Sequence, residues 1–308
     1  MKFCLPFFIL LVSQTHTVYA QNDSIVLVGK KVITLSDVVV DNRLNVTSFI
    51  NRVKEDTSFY KAFRNLRVLG FTALNDIRMN NKEGKLKASL RSKTVQARAN
   101  NCRTMQTFDE VTTGDIYDKN RNFNYYTASM YASLFFTYES ICNEDNVVKD
   151  REFSTRDKSG IEKHKEQLKT LFFNPGKKIQ GLPFMSNKTA IFEDEMADLY
   201  DMSIDMDFYN NTSCYIFKQK VKPGKKNKVV VDEMTTWFND STFEVVGRNY
   251  LLSYDAGVYD FVVNMEVLMT RYKNLTVPSI MRYNGNWKAV TKKRERGVFT
   301  ATLSDFND

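Results

Sequence analysis

The chain has 308 residues, with 44 Lys and Arg against 36 Asp and Glu, a formal net charge of +8, two His and four Cys. His16 falls in the N-terminal export signal, so His164 is the one imidazole expected in the mature chain, too few for a multi-His zinc site or a facial iron triad. Gly-rich phosphate loops and Gly-x-Ser-x-Gly are also absent, so the usual signatures of nucleotide and serine-hydrolase chemistry are missing and no cofactor is expected.

Met1 to Ala20 has the pattern of a cleaved export signal. Lys2 is a basic n-region, Phe3 to Val12 an apolar core, and Val18-Tyr19-Ala20 a small-residue cleavage site before Gln21. Cys4 lies ahead of the apolar core, so no lipid anchor is expected. About 288 residues then remain, with no further segment long and apolar enough to span a membrane. They are read as one β-rich domain over 21–308, with a soft boundary in the polar loop 143–160. Export to a periplasmic or fully secreted location disfavours nucleic acid as a partner. It also makes the cysteines disulfide material. Cys102, Cys142 and Cys214 allow three pairings. Cys102 and Cys142 sit in polar, loop-like contexts and form the favoured pair, while Cys214 lies in an apolar, strand-like run and reads as a buried thiol.

In chain order, Ile25–Val28 and Val32–Val40 read as strands, the second broken by Ser36-Asp37. Phe49, Ile50, Val53, Tyr60 and Phe63 recur at helical spacing over Thr47–Asn65, and Asp56-Thr57-Ser58 can cap a second helix within that stretch. Leu66–Met79 and Lys85–Arg98 read as a hairpin joined through Asn80–Gly84. Tyr125–Phe136 is a buried helix or a buried strand; periodicity does not arbitrate. Ser159-Gly160-Ile161-Glu162 is a capping box opening a helix to Phe173, which Asn174-Pro175-Gly176 ends. His164 falls on the apolar stripe of that helix and reads as a packed or edge histidine.

From Thr212 to Phe306 the pattern changes to alternation. Tyr259, Phe261, Val263, Met265, Val267 and Met269 share one face of a strand over Gly257–Arg271, a length that requires twist or bending. Asp255-Ala256-Gly257 separates it from Thr242–Tyr254. Asn284-Gly285-Asn286 reads as a tight turn between Val277–Tyr283 and Trp287–Lys293. The result is a meander of about six antiparallel strands. The fold class is therefore α+β: a long curved antiparallel sheet, an open half-barrel, covered by a few helices. Such an interior is either a filled core or an apolar groove. Met185, Met196, Met202, Met206, Met234, Met265, Met269 and Met281 supply flexible thioethers for either.

Three charged stretches, two basic and one acidic, complete the inventory. Lys292-Lys293-Arg294-Glu295-Arg296 and Lys222, Lys225, Lys226 and Lys228 sit at strand ends or turns and read as solvated. Glu193-Asp194-Glu195, Asp198, Asp201, Asp205 and Asp207 are the best carboxylates for hydrolysis or calcium. They lack the glycine and spacing of a calcium loop, and no metal site is expected.

Ser213–Phe217, Glu233-Met234-Thr235-Thr236-Trp237-Phe238-Asn239 and Phe243–Val246, with Thr276–Ile280 and Thr300–Phe306, resemble the periplasmic outer-membrane lipoprotein-carrier superfamily over about residues 200–306. The resemblance implies an open half-barrel with helical plugs that binds acyl chains without catalysis. The expected ligand face is Tyr259, Phe261, Val263, Met265, Val267 and Met269 with Phe243 and Val245, and lipid or lipoprotein acyl chains are the expected partners. The alternatives are an envelope structural or protein-interaction component that binds a partner by strand addition, and a carboxylate hydrolase.

Overall fold

A computed structural model describes residues 24–41, 44–148, 171–178, 187–255, 259–289 and 293–308. The expected signal segment, His164, the capping box at Ser159–Glu162 and residues 149–160 of the polar loop lie outside the described residues, as do Met185 and Lys292.

Thirteen strands form one open sheet. They are β1 (Ser24–Val28), β2 (Lys31–Leu35), β3 (Gly70–Asn80), β4 (Leu86–Ala99), β5 (Cys102–Thr113), β6 (Ile141–Cys142), β7 (Tyr200–Tyr209), β8 (Thr212–Val221), β9 (Val231–Asn239), β10 (Val245–Asp255), β11 (Tyr259–Tyr272), β12 (Leu275–Ala289) and β13 (Glu295–Asn307). Their spatial order is β1-β2-β7-β8-β9-β10-β11-β12-β13-β3-β4-β5-β6. The chain lays down β1 and β2 at one edge, then β3 to β6 at the other. A seven-strand meander, β7 to β13, fills the gap. Its last strand docks antiparallel on β3, pairing Phe299 with Ile77. Among the described residues only β2 and β7 run parallel. The expected meander is thus observed from β8 to β13, and the α+β class with a curved open sheet holds.

Period-two alternation explains why the central strands form. On β11, Phe261, Val263, Met265, Val267 and Met269 are buried while Val262 and Asn264 face out. The buried face is covered by α2 (Val46–Glu55), α3 (Ser58–Asn65) and α4 (Tyr126–Phe135). Asn45 caps α2 by accepting from the Ser48 amide at 2.9 Å, and Asp56 accepts from the Ser58 amide at 3.0 Å, so the chain turns from α2 into α3 at the expected place. Phe49 of α2 enters a nest of rings, Tyr215, Phe217, Phe238 and Phe243, edge-on at centroid distances of 5.3 to 5.8 Å. Behind it, Arg248 of β10 is buried with Asp56 at 3.8 Å and lies over the Phe59 ring. Removing either charge would strand the other out of water.

Two expectations are corrected. The second strand ends at Leu35, and Asp37–Asp41 is a short helix, α1. The Ser36 carbonyl accepts from both Val39 and Val40 amides, and Val39 alone turns inward. Ser36-Asp37 is therefore a terminator followed by helix, not a break within a strand. Nor does Asn284-Gly285-Asn286 turn. Strand β12 runs through it, pairing Gly285 with Val263 on one side and Gly297 on the other. Glycine is required there for space: a Cβ at position 285 would lie 2.0 Å from the Tyr283 hydroxyl. The positive-φ turns fall at Asn100-Asn101, Asn210-Asn211 and Lys273 instead.

Gly285→Ala is therefore expected to destabilise the fold by about 1–3 kcal/mol through overpacking. Tyr283→Ala should recover most of that penalty in a double-mutant cycle. Urea denaturation measures both; an additive cycle would reject this account of the glycine.

Candidate ligand cavity

Helix α4 answers the helix-or-strand ambiguity of Tyr125–Phe136. No side chain of its own caps its start. Glu295, at the beginning of β13, instead accepts from the Tyr126 amide at 2.8 Å, the Thr127 amide at 2.7 Å and the Thr127 hydroxyl. A carboxylate at a helix N-terminus satisfies free amides and matches the helix dipole. The partner is 168 residues away in sequence, so local periodicity could not reveal it. Tyr126 stacks on Trp287 and Tyr131 meets Phe299, which seats α4 over β12 and β13.

Between α3, α4 and strands β3, β12 and β13 lies a cavity of about 370 Å³. Phe63, Phe71, Ala73, Met281, Ala301 and Leu303 form its apolar wall, with half-buried Leu134, Phe135 and Phe173 on the helical side. A smaller, apolar recess shares Phe63, Leu134, Phe135, Phe173 and Met281 with it. The recess extends to Met130, Tyr131, Phe172, Met265, Tyr283 and Phe299. Burial pushes the phenols of Tyr131 and Tyr283 upward, so both stay neutral.

The polar side of the cavity carries Arg64, Arg67, Gln96, Arg103 and Asn75. The two amides are committed to the fold. Gln96 donates to the Leu66 and Leu69 carbonyls at 2.7 Å each. Asn75 donates to the Thr94 hydroxyl and accepts from Tyr131, both at 3.1 Å. The arginines are answered by a strap, Ile141–Val148. Arg64 donates to the Asp145 carbonyl and carboxylate at 2.8 and 2.9 Å. Glu144 pairs with Arg103 and, at 3.5 Å, with Arg67. Arg103 also donates to Gln96 and Thr137.

The strap is pinned at its start. Cys102 and Cys142 are directly opposed in the β5–β6 pairing and form the favoured disulfide, 40 positions apart in sequence. Asn143 donates its amide to Asn101 at 3.0 Å, and Asn146 donates to Asn65 at 2.8 Å. Cys214 is the free cysteine and is fully buried in β8. Burial pushes its thiol up to about 11, which keeps it protonated and unreactive.

The expected ligand face is divided by this geometry. Met265 lines the recess. Phe261 packs against Trp287 and Tyr254, and Val263 and Val267 lie in the continuous core. Phe243 stacks on Phe238 beneath α2 with Arg52 over its ring. Val245 and Met269 border a separate hollow near Arg271. The backbone of Tyr259 begins β11, but its side chain lies outside the described residues. Sequence reasoning missed Arg64, Arg67 and Arg103. The available signal was the Cys102–Cys142 pair, which brings Arg103 beside Glu144.

The acidic stretch does not converge on the cavity. Asp194 lies in the short helix α5 (Asp194–Ala197) and pairs with Lys31 at 2.8 Å, which holds its carboxyl below the usual range. Asp201, Asp205 and Asp207 are spread along β7. Among the described residues no group of three or more His, Cys, Asp or Glu could hold a metal ion. No carboxylate, thiol or imidazole is among the described lining residues of the cavity. No described helix is long and apolar enough to cross a membrane.

No family model and no curated protein matches the chain. Among solved structures it is similar to an outer membrane lipoprotein-sorting protein domain from Vibrio parahaemolyticus. Identity is 10%, the match covers 82% of this chain and 92% of that one, and the TM-score is 0.28. It is also similar to a DUF1329 family protein from Desulfovibrio piger ATCC 29098, at 11% identity over 83% of this chain and 92% of that one, again with a TM-score of 0.28. At such TM-scores neither likeness assigns a family or an activity.

The disulfide should be a strong stabiliser. Replacing both Cys102 and Cys142 by Ser is expected to lower the unfolding free energy by roughly 2–4 kcal/mol, from the entropy of the loop it closes. Guanidinium titration checks this; a loss near zero would show that the strap is held by its hydrogen bonds alone.

Proposed function

We propose that this chain is an exported, non-enzymatic binding protein that holds an acyl chain in the cavity between α3, α4 and the β3–β13–β12 part of the sheet. The cavity itself carries the reading. Its volume of about 370 Å³ lies in the range of small-molecule sites, which are mostly apolar with a few placed polar groups. Its apolar end continues into the recess around Phe172, Met265 and Phe299. The described lining residues offer cations, amides and the hydroxyls of Tyr60 and Ser133, with no carboxylate or imidazole to activate them. The Cys102–Cys142 bridge supports export to an oxidising compartment, periplasmic or fully secreted. Of the expected ligand face, Met265 is the residue assigned to contact the chain; Phe261, Val263 and Val267 belong to the continuous core, and Val245 and Met269 to a separate hollow.

One observation favours a second reading, an envelope component that recruits a partner by strand addition. Strand β6 pairs only with Cys102 and Arg103 of β5. Among the described residues the outer edge of β5 from Thr104 to Thr113 is otherwise unpaired, and Phe108 and Val111 are exposed beside it.

Native mass spectrometry of the protein purified from its own source, with organic extraction of bound material, separates the two. The binding reading expects a stoichiometric acyl lipid that is lost in Ala301→Phe, which fills the cavity, and weakened in Met265→Asp. A clean apo mass that added fatty acid leaves unchanged rejects it and leaves the interaction reading ahead.

A further inference from the structure

We infer that the ligand is an anionic amphiphile whose carboxylate or phosphate head is received by the guanidinium groups of Arg103 and Arg67. This rests on the acyl-binding reading and adds the chemistry of the head. A purely hydrocarbon ligand has no use for buried arginines, and placing them in an apolar wall costs desolvation. Yet Arg64 and Arg103, both largely withdrawn from water, line the same cavity as Phe63 and Leu303.

Among the described residues, the carboxylates that pair with these arginines do not belong to the lining. Glu144 and Asp145 reach in from the strap that the disulfide ties beside Arg103. Their carboxylates occupy the position that an anionic head needs. Arg103 is not exhausted by them. Its Nε donates to Glu144 and its Nη1 to Gln96 and Thr137, while no described residue accepts from Nη2. Guanidinium forks bind carboxylate and phosphate in pairs of parallel hydrogen bonds. A head placed at Nη2 would keep the Gln96 and Thr137 bonds and would share or displace Glu144. The acyl chain then runs from this cationic end toward Met281 and the recess. The two ends of the cavity thus match the two ends of one molecule.

The experiment compares ligands that differ only at the head. Calorimetric binding of dodecanoate, dodecyl phosphate, dodecanol and inorganic phosphate is measured on the full chain and on Arg103→Gln, Arg67→Gln and Glu144→Gln. The expected result is that dodecanoate or dodecyl phosphate binds at least about tenfold more tightly than dodecanol, a difference of ~1.4 kcal/mol. Either arginine variant should erase most of that preference and leave dodecanol unchanged. Glu144→Gln should strengthen the anions, because it removes their competitor. Arg67, with 38% of its side chain exposed, is the variant least able to disturb the fold. Equal binding of dodecanoate and dodecanol overturns the anionic head while the acyl reading stands. Inorganic phosphate binding as tightly as dodecyl phosphate overturns the amphiphile in favour of a free anion. Binding of none of the four removes the acyl reading as well.

Discussion

Everything in this molecule follows from the need to keep one face of a thirteen-strand sheet away from water. A sheet of this breadth cannot close its buried face upon itself while its two edges, β1 and β6, stay apart. Helices must supply the cover, and burial of their apolar stripes is the dominant favourable term. The cover is dense at one end. There Phe49 fills the space over β8 and β9 by meeting four aromatic rings. It is thin over β3 and β13, where the sheet offers Ala73 and Ala301 and the helices offer half-buried side chains. The cavity is the difference in volume between those two ends. Close packing elsewhere makes that difference meaningful, because ordinary cores leave few voids larger than a water molecule.

Charge is organised by the same geometry. Arg64 and Arg67 lie at the end of the helical cover, and Arg103 lies where β5 passes under it. None of the three can be left without an anion in so apolar a setting. The chain solves this with a short strap rather than with the sheet itself. The disulfide and the Asn101–Asn143 contacts fix the strap's first residues, so Glu144 and Asp145 arrive in a set position. Disulfide, strap and arginine cluster form one unit. A carboxylate on a tethered strap is easier to move aside than one on a central strand, which suits the anion-accepting role proposed for these arginines.

How much of this was legible in the sequence depends on the range of the interaction. The meander from Thr212 to Phe306 was readable because period two repeats within each strand, and burial on β11 follows it residue by residue. The α2–α3 turn was readable because Asp56 and Ser58 are neighbours. What was misread, and what stayed open, has a different cause. Asn284-Gly285-Asn286 has the composition of a turn, but its glycine makes room for the Tyr283 ring, a packing demand that no dipeptide rule contains. Helix α4 depends on a carboxylate 168 residues away. Strand β5 is exposed along almost its whole length and therefore shows no alternation to detect.

The position of the site carries a wider argument. The most regular apolar face in the sequence, Phe261 to Met269, is buried in the continuous core, and Met265 of that face lines the recess beside the proposed site. Strong alternation is a signal of complete cover, since each inward residue there has a helix or ring to meet. A space able to take a ligand arises where cover is incomplete, and so where inward residues are small or where charged groups interrupt the pattern. Ala73, Ala301, Arg64 and Arg103 have those properties, and all four line the cavity. In a sheet-and-plug fold the binding site is therefore sought at the weakest stretch of the hydrophobic pattern. Met265 enters the proposed site because the strongest stretch passes beneath the recess there.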